Sequence, residues 1–379
     1  MVMTRTALVV ALLLIACGAR AIDTPARTEG VDPVLEMRAD GGEGGMQDVV
    51  GLAVRADSSV VVGDAANAQV VHIAPDGHVM GRTGRKGSQA GEYQRLQWVG
   101  MCDDSLLYVH DIALSRLSLL SDKLEGSYLR TIPRSFDSRD IAGCLPSSRL
   151  LILNDSVSAR AVGVFRRPLS LVRFDARTGR ADTLRKFAGL QVNYVRRLGT
   201  AIAVPMGART HVAIHGAQVL VAESDRDSLW RYDGNAWSSV ALAKLPAAQT
   251  STAADDKRAR LALGWAPRTP QDRAFAPALL AETQTARVAP RIDGLVASSD
   301  GTAWIALKPD ANAERAWIQY DAKGQQTGRT HFGWTFEPRE VRGATWWGVE
   351  RDSIGVETVV RYRVDTARGT ANGQLPVKD

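Results

Sequence analysis

Residues 60–77 read VVVGDAANAQVVHIAPDG: an apolar run, a polar turn opened by Asp64, a second apolar run, and a closing Asp-Gly. Runs of four to eight β-branched and aliphatic residues bounded by Asp, Asn and Gly are strand signals. The pattern returns as LLYVHDIALSRLSLLSDKLEG from Leu106, LLILNDSVSARAVGVFRRPLSLVRFDARTG from Leu150, VLVAESDRDSLWRYDG from Val219, AWIALKPDANAERAWIQYDAKG from Ala303 and WGVERDSIGVETVVRYRV from Trp347. The chain is an array. A repeat of roughly 40 residues built from paired strands is the mark of propeller blades, and six copies predict an all-β, six-bladed β-propeller.

Outward from these copies, the spacing stretches twice: between the third and fourth, and between the fourth and fifth, where residues 247–284 read as an inter-blade insertion. That segment carries Asp255, Asp256, Lys257 and Arg258, then Leu261 and Leu263, then Pro267, Pro270 and Pro277, and predicts one or two short helical turns. The sixth copy supplies only about three strands before the chain ends. Val34-Leu35-Glu36-Met37 is a free strand near the other end, and pairing it into the last blade closes the ring without an exposed edge. The propeller is therefore expected over residues 33–379, as one domain.

Ahead of it, residues 1–16 hold one basic residue, Arg5, and an apolar run from Ala7, the pattern of an export signal and too short to cross a bilayer. Leu14-Ile15-Ala16-Cys17 resembles the bacterial lipobox, which implies diacylation of Cys17. Residues 17–32 then form a tether. The expected address is the bacterial cell envelope, lipid-anchored, and the outer membrane where the host has one, because Gly18 rather than Asp follows the cysteine. With a net charge of +6 and basic residues scattered in pairs such as Arg166-Arg167 and Arg196-Arg197, nucleic acid is excluded as a partner. A monomer is expected.

The glycine-rich stretch GRTGRKGSQAGEYQRL, residues 81–96, resembles the inter-blade segment of NHL-like six-bladed propellers of the bacterial lipoprotein type. The glycines are Gly81, Gly84, Gly87 and Gly91, followed by Glu92 and Tyr93; Leu96 or Gln97 stands where that family often has proline. The strand, Asp, polar residues, Arg, strand order that follows in such proteins matches Tyr108 to Asp111 and Arg116 to Leu119. The resemblance implies a fold and an address more than an activity. The loop lacks a Gly-Lys-Ser/Thr ending and leads into a strand, so it is no phosphate cradle.

For function, the sequence favours a membrane-anchored, extracytoplasmic binding or scaffold module engaging a protein or an anionic ligand at the channel mouth. The alternative is a propeller hydrolase or lyase, lactonase-like or amidating-lyase-like, using a channel metal. Counting back sixteen residues from Asp111, Asp155 and Asp225 gives Arg95, Arg139 and Arg209, and Arg291 and Arg339 stand ahead of the fifth and sixth innermost strands. Five arginines at one level would ring the mouth and attract carboxylates or phosphates. Local ion pairs or solvent exposure would account for them equally well.

For the alternative, Asp48, Asp140, Asp293 and Glu340 lie near the starts of innermost strands and would hold calcium if they converge. No other cofactor is implied. His211 and His215 share one strand face, the best pairing among six histidines. Cys102 and Cys144 hold similar places in consecutive copies, so an exported domain is expected to join them as a disulfide.

Overall fold

The computed structural model describes residues 31–41, 45–103, 106–121, 124, 126–132, 140–155, 163–196, 199–265, 277–278, 281–310 and 312–365. They form a six-bladed β-propeller. Blade 1 runs through Val49–Val54, Val60–Asp64, Gln69–Ile73 and Val79–Thr83, and blade 2 through Leu96–Asp103, Leu106–Asp111, Arg116–Leu120 and Gly126–Thr131. Blade 4 comprises Thr210–His215, Gln218–Glu223, Ser228–Tyr232 and Trp237–Ala241; blade 5 comprises Ile292–Ala297, Ala303–Leu307, Glu314–Tyr320 and Gln326–Gly333. Each sequence copy thus supplies the second and third strands of a blade. The first strands touch their neighbours all round the ring and line the channel.

Blade 3 explains the first stretch in the spacing. After Asp140–Leu145 and Arg149–Asp155, its third and fourth strands are 13 and 15 residues long (Gly163–Asp175 and Ala181–Val195), and Thr200–Ala203 adds a fifth. Blade 6 holds Phe336–Arg342, Thr345–Arg351 and Glu357–Arg363, and Val34–Ala39 completes it, antiparallel, with Val34 opposite Arg363 and Ala39 opposite Val359. Glu36 fastens this seam through Arg361 at 3.3 Å and Arg363 at 3.1 Å.

Apolar side chains of adjacent sheets fill the wedges between blades. Between blades 5 and 6, Trp304, Trp317, Trp346, Phe332 and Phe336 pack edge to face and tilted, all buried; each contributes roughly 2–3 kcal/mol by leaving water. Near the axis the strands come closer still. A Cβ on Gly51 would lie 2.3 Å from the Val99 carbonyl oxygen of blade 2, so only glycine fits there. In the glycine-rich loop, Gly84 has φ +98° and lies against buried Tyr93. Cys102 and Cys144 are joined, with Cα atoms 4.9 Å apart, tying the innermost strands of blades 2 and 3.

The segment between blades 4 and 5 differs from its expectation of short turns. Its described part includes a helix of 13 residues, Ala253–Trp265, based on a two-stranded ribbon of Gln249–Thr250 and Val288–Ala289. A reciprocal cap starts the helix: the Asp255 backbone N–H donates to Thr252 Oγ1 at 3.2 Å, and the Thr252 N–H donates to the Asp255 carboxylate at 2.8 Å. Among the described residues, no helix is long and apolar enough to cross a membrane.

Candidate functional site

In blades 2 and 4 an acidic or hydroxyl residue at the end of the second strand, or one residue past it, grips the backbone just ahead of the first. Asp111 accepts N–H groups from Gln94 at 2.6 Å and Arg95 at 3.0 Å, and Ser224 Oγ accepts the Arg209 N–H at 2.8 Å. In blade 2 the sixteen-residue spacing seen in the sequence is this backbone grip, whereas in blade 4 the gripping residue is Ser224, fifteen residues from Arg209, rather than Asp225. The grip fixes where the channel mouth begins without fixing which side chains face it.

The first strands then depart from plain pairing. In blades 1, 2, 3, 5 and 6 the register slips by one residue, leaving Val50, Gln97, Ala142, Asp293 and Arg339 as the extra residue; blade 4 pairs without a slip. Such bulges re-aim side chains. At the mouth, on the side of blades 4 to 6, they leave a cavity of about 500 Å³ roofed by the helix. Its polar lining comprises Arg209, His211, Asp255, Arg258, Asp293, Arg315, Glu337 and Arg351, and its apolar lining includes Met206, Trp317 and Trp334.

Most of these charges are tied. Arg315 meets Asp293 at 2.9 Å, Arg339 meets Glu337 at 3.3 Å, and Arg351 bonds Glu357. Asp255, almost wholly buried, receives Arg258 at 2.7 Å and Lys308 of blade 5 at 2.8 Å. Burial works to raise its pKa, but the bonds from Lys308, Thr252 and Arg258 win and hold it far below the carboxylate range. Glu337 is held below its ordinary value first by Arg339, against burial, and then by Arg351, Arg315 and Arg209. It stays open to the cavity, with 52% of its side chain exposed.

His211 is half-buried. Burial first, then Arg209, pushes its imidazole down to about 4, so it is neutral at ordinary pH. The Ile292 backbone works weakly in the opposite direction. Nε2 is sealed from solvent and has no hydrogen-bond partner.

Of the five sequence-selected arginines, Arg209 is the one described residue that lines this cavity. Arg95 is exposed in blade 2; Arg291 lies outside the cavity, 4.0 Å from Asp227; Arg139 lies outside the described residues. Arg339 sits four residues into its strand, at the slip, because blade 6 begins its first strand earlier, at Phe336. The acidic candidates are also apart. Asp293 pairs with Arg315, Glu340 with Arg342 at 2.6 Å, and Asp140 accepts from Gln97. Asp48, at φ +58°, gives its carbonyl to Ala65. Among the described residues no three His, Cys, Asp or Glu converge as metal ligands, so these side chains do not fit a metal ion. His211 lines the mouth and His215 the far part of the channel; four residues of strand separate them by roughly 13 Å. Cys17 lies outside the described residues.

Sequence reasoning missed Arg258, Arg315, Glu337 and Arg351. One signal was present: Lys308 stands just past the second strand of blade 5, where blades 1, 2 and 4 have Ala65, Ile112 and Ser224, and Arg351 is the last residue of the second strand of blade 6.

The ring of six sheets defines the class, a six-bladed β-propeller. No protein-family model matches the chain, and no curated protein sequence does. Among solved structures, a Bacteroides fragilis protein inferred to be exported is similar over 90% of this chain and 98% of its own, at 11% identity and a TM-score of 0.51. The calcium-binding protein regucalcin of Agrobacterium tumefaciens is similar over 89% and 97%, at 11% identity and a TM-score of 0.44. A gluconolactonase of Xanthomonas campestris is similar over 84% and 87%, at 9% identity and 0.43. At such identities the likeness is one of fold.

Proposed function

We propose that this chain is a small-molecule propeller, a hydrolase or lyase in class, acting on a substrate held in the cavity of blades 4 to 6. The observation that carries the reading is a partly enclosed space of about 500 Å³ in which fixed guanidinium groups face an ionised, accessible carboxylate. That volume suits a small ligand rather than a protein segment. It reverses the order of the two sequence-based expectations, in which a scaffold came first.

In such a site Glu337 takes the proton, from an attacking water or from a carbon beside a carbonyl. Arg209 and Arg315 hold the charge that develops on the substrate oxygen. Ion pairs with Asp293 and Glu357 keep Arg315 and Arg351 from reorienting when that charge appears. No step is routed through a metal.

The reading also puts the chain outside the cytoplasm, anchored through Cys17. Its support is the apolar run ahead of the lipobox-like cysteine and the Cys102–Cys144 bond, a kind of bond that persists in oxidising compartments.

The test is turnover by the full chain against two panels, lactones and carboxylic esters followed by acid release, and β-substituted carbonyl compounds followed by the absorbance of the new double bond. Glu337→Gln is expected to lower turnover at least about 100-fold with the fold intact. Turnover untouched by that substitution, or none with either panel, sinks the enzymatic reading and returns the scaffold.

A further inference from the structure

Matched one by one, the ion pairs around the mouth cavity leave two positive charges over among the described residues. Asp293 holds Arg315, Glu337 holds Arg339 and Glu357 holds Arg351, one cation to each carboxylate. Asp255 holds two, Arg258 at 2.7 Å and Lys308 at 2.8 Å, and its single negative charge offsets only one of them. Arg209 has no carboxylate partner among the described residues. Its backbone N–H is held by Ser224, its Nε is sealed from solvent without an acceptor, and its side chain lines the cavity, as does Arg258 of the roof helix.

The other groups at the mouth do not remove this surplus. Glu337 opens into the cavity as an ionised carboxylate, but its charge is already met by Arg339. Neutral His211 adds none. Uncompensated like charges in a partly enclosed site focus their field and draw in anions, and guanidinium groups match the paired oxygens of carboxylates and phosphates. Met206, Trp317 and Trp334 supply apolar wall in the same cavity. A ligand with a carbon body gains from covering that wall, and a bare inorganic ion does not.

We infer that the cavity takes an organic anion carrying two negative charges, held by Arg209 and by the cation that Asp255 leaves over. The inference rests on the small-molecule reading above and names the ligand class for that site.

Isothermal titration of the full chain at slightly alkaline pH and low salt tests it with two series of similar carbon body: butyrate, glutarate and propyl phosphate, then benzoate, phthalate and phenyl phosphate. Wild type is expected to bind a dianion of either series at least about tenfold more tightly than its monoacid, the scale of one added charge contact in partly shielded surroundings. Preference for the diacid assigns the two charges to separate groups of the ligand, and preference for the phosphate ester assigns them to one. Arg258→Gln, which leaves Lys308 on Asp255, should cut the advantage of the dianion below about threefold while the monoacid still binds. Arg209→Gln should weaken every anion at least about tenfold. Dianions bound no more tightly than monoacids by wild type, or an advantage that Arg258→Gln leaves whole, overturn the second charge. Affinities unchanged in Arg209→Gln, or no saturable binding of any anion, overturn the site. Should Arg209→Gln fail to fold, Arg209→Lys, which keeps the charge but loses the fork, decides: an unchanged affinity for the carboxylates overturns the anchor.

The readouts separate the two readings. Arg209-dependent dianion binding without turnover keeps this inference and sinks the enzymatic one, whereas turnover of uncharged lactones or esters by a chain that binds no anion does the reverse.

Discussion

At the slipped position of their innermost strands, blades 1 to 3 present Val50, Gln97 and Ala142, while blades 5 and 6 present Asp293 and Arg339. Blade 4, with no slip, places Arg209 and His211 beside them. The backbone is nearly the same on both sides of the channel. What differs is charge, and the inserted helix that roofs only the charged side. Ring closure asks each blade for a strand of the right length and twist and for small residues such as Gly51 where strands crowd. It asks nothing of the side chains at the mouth, so chemistry is free to gather in half of it.

The largest effect that probes this division lies on the plain side. Cys102→Ser with Cys144→Ser is expected to cost roughly 3–4 kcal/mol, the range for a bridge closing a loop of this length. Urea unfolding of the double variant and wild type measures it. Turnover should stay unchanged, and a parallel loss of turnover would show that the two halves are coupled.

On the charged side, His211 gives a smaller effect with a pH signature. Between 6.5, the value in the unfolded chain, and about 4, in the folded one, unfolding takes up a proton that the native state refuses. Wild type therefore loses stability as pH falls through that window, by at most roughly 3 kcal/mol. His211→Gln should remove this slope between pH 6.5 and 4, and identical pH profiles for variant and wild type would contradict the neutral, buried imidazole.

The smallest effect belongs to Arg291, whose partner Asp227 is 4.0 Å away and 70% exposed. Arg291→Ala should change stability by less than about 0.5 kcal/mol and leave turnover intact, in contrast to Glu337→Gln. A loss of turnover would mean that cations outside the cavity also attract the substrate.

The sequence was most legible where interactions are local. Two apolar runs around a polar turn can form a hairpin without help from elsewhere, so the copies from Val60 to Trp347 all became second and third strands. The free strand at Val34 was legible because the sixth copy was one strand short. Arg209 was legible because the turn between the first two strands of blade 4 is short, so the start of the first strand lies only 15 residues from the Ser224 that grips it. Arg315 and Glu337 were not, since they meet only after blades 5 and 6 curve around a shared axis. Nor was the place of the insertion: the bond that sets it, Lys308 to Asp255, joins residues 53 positions apart, and no local pattern announces such a partner.

The pairing of Val34–Ala39 with Glu357–Arg363 also sets a timetable. Arg38 and Glu350, bonded across this seam, lie 312 positions apart, and contacts of such separation make folding slow. Val34–Ala39 waits for Glu357–Arg363, so the native ring is out of reach until all six blades have been made. Once closed, the same clasp joins both ends of the domain, and a pull on the leading segment must break it before any other blade bears the load.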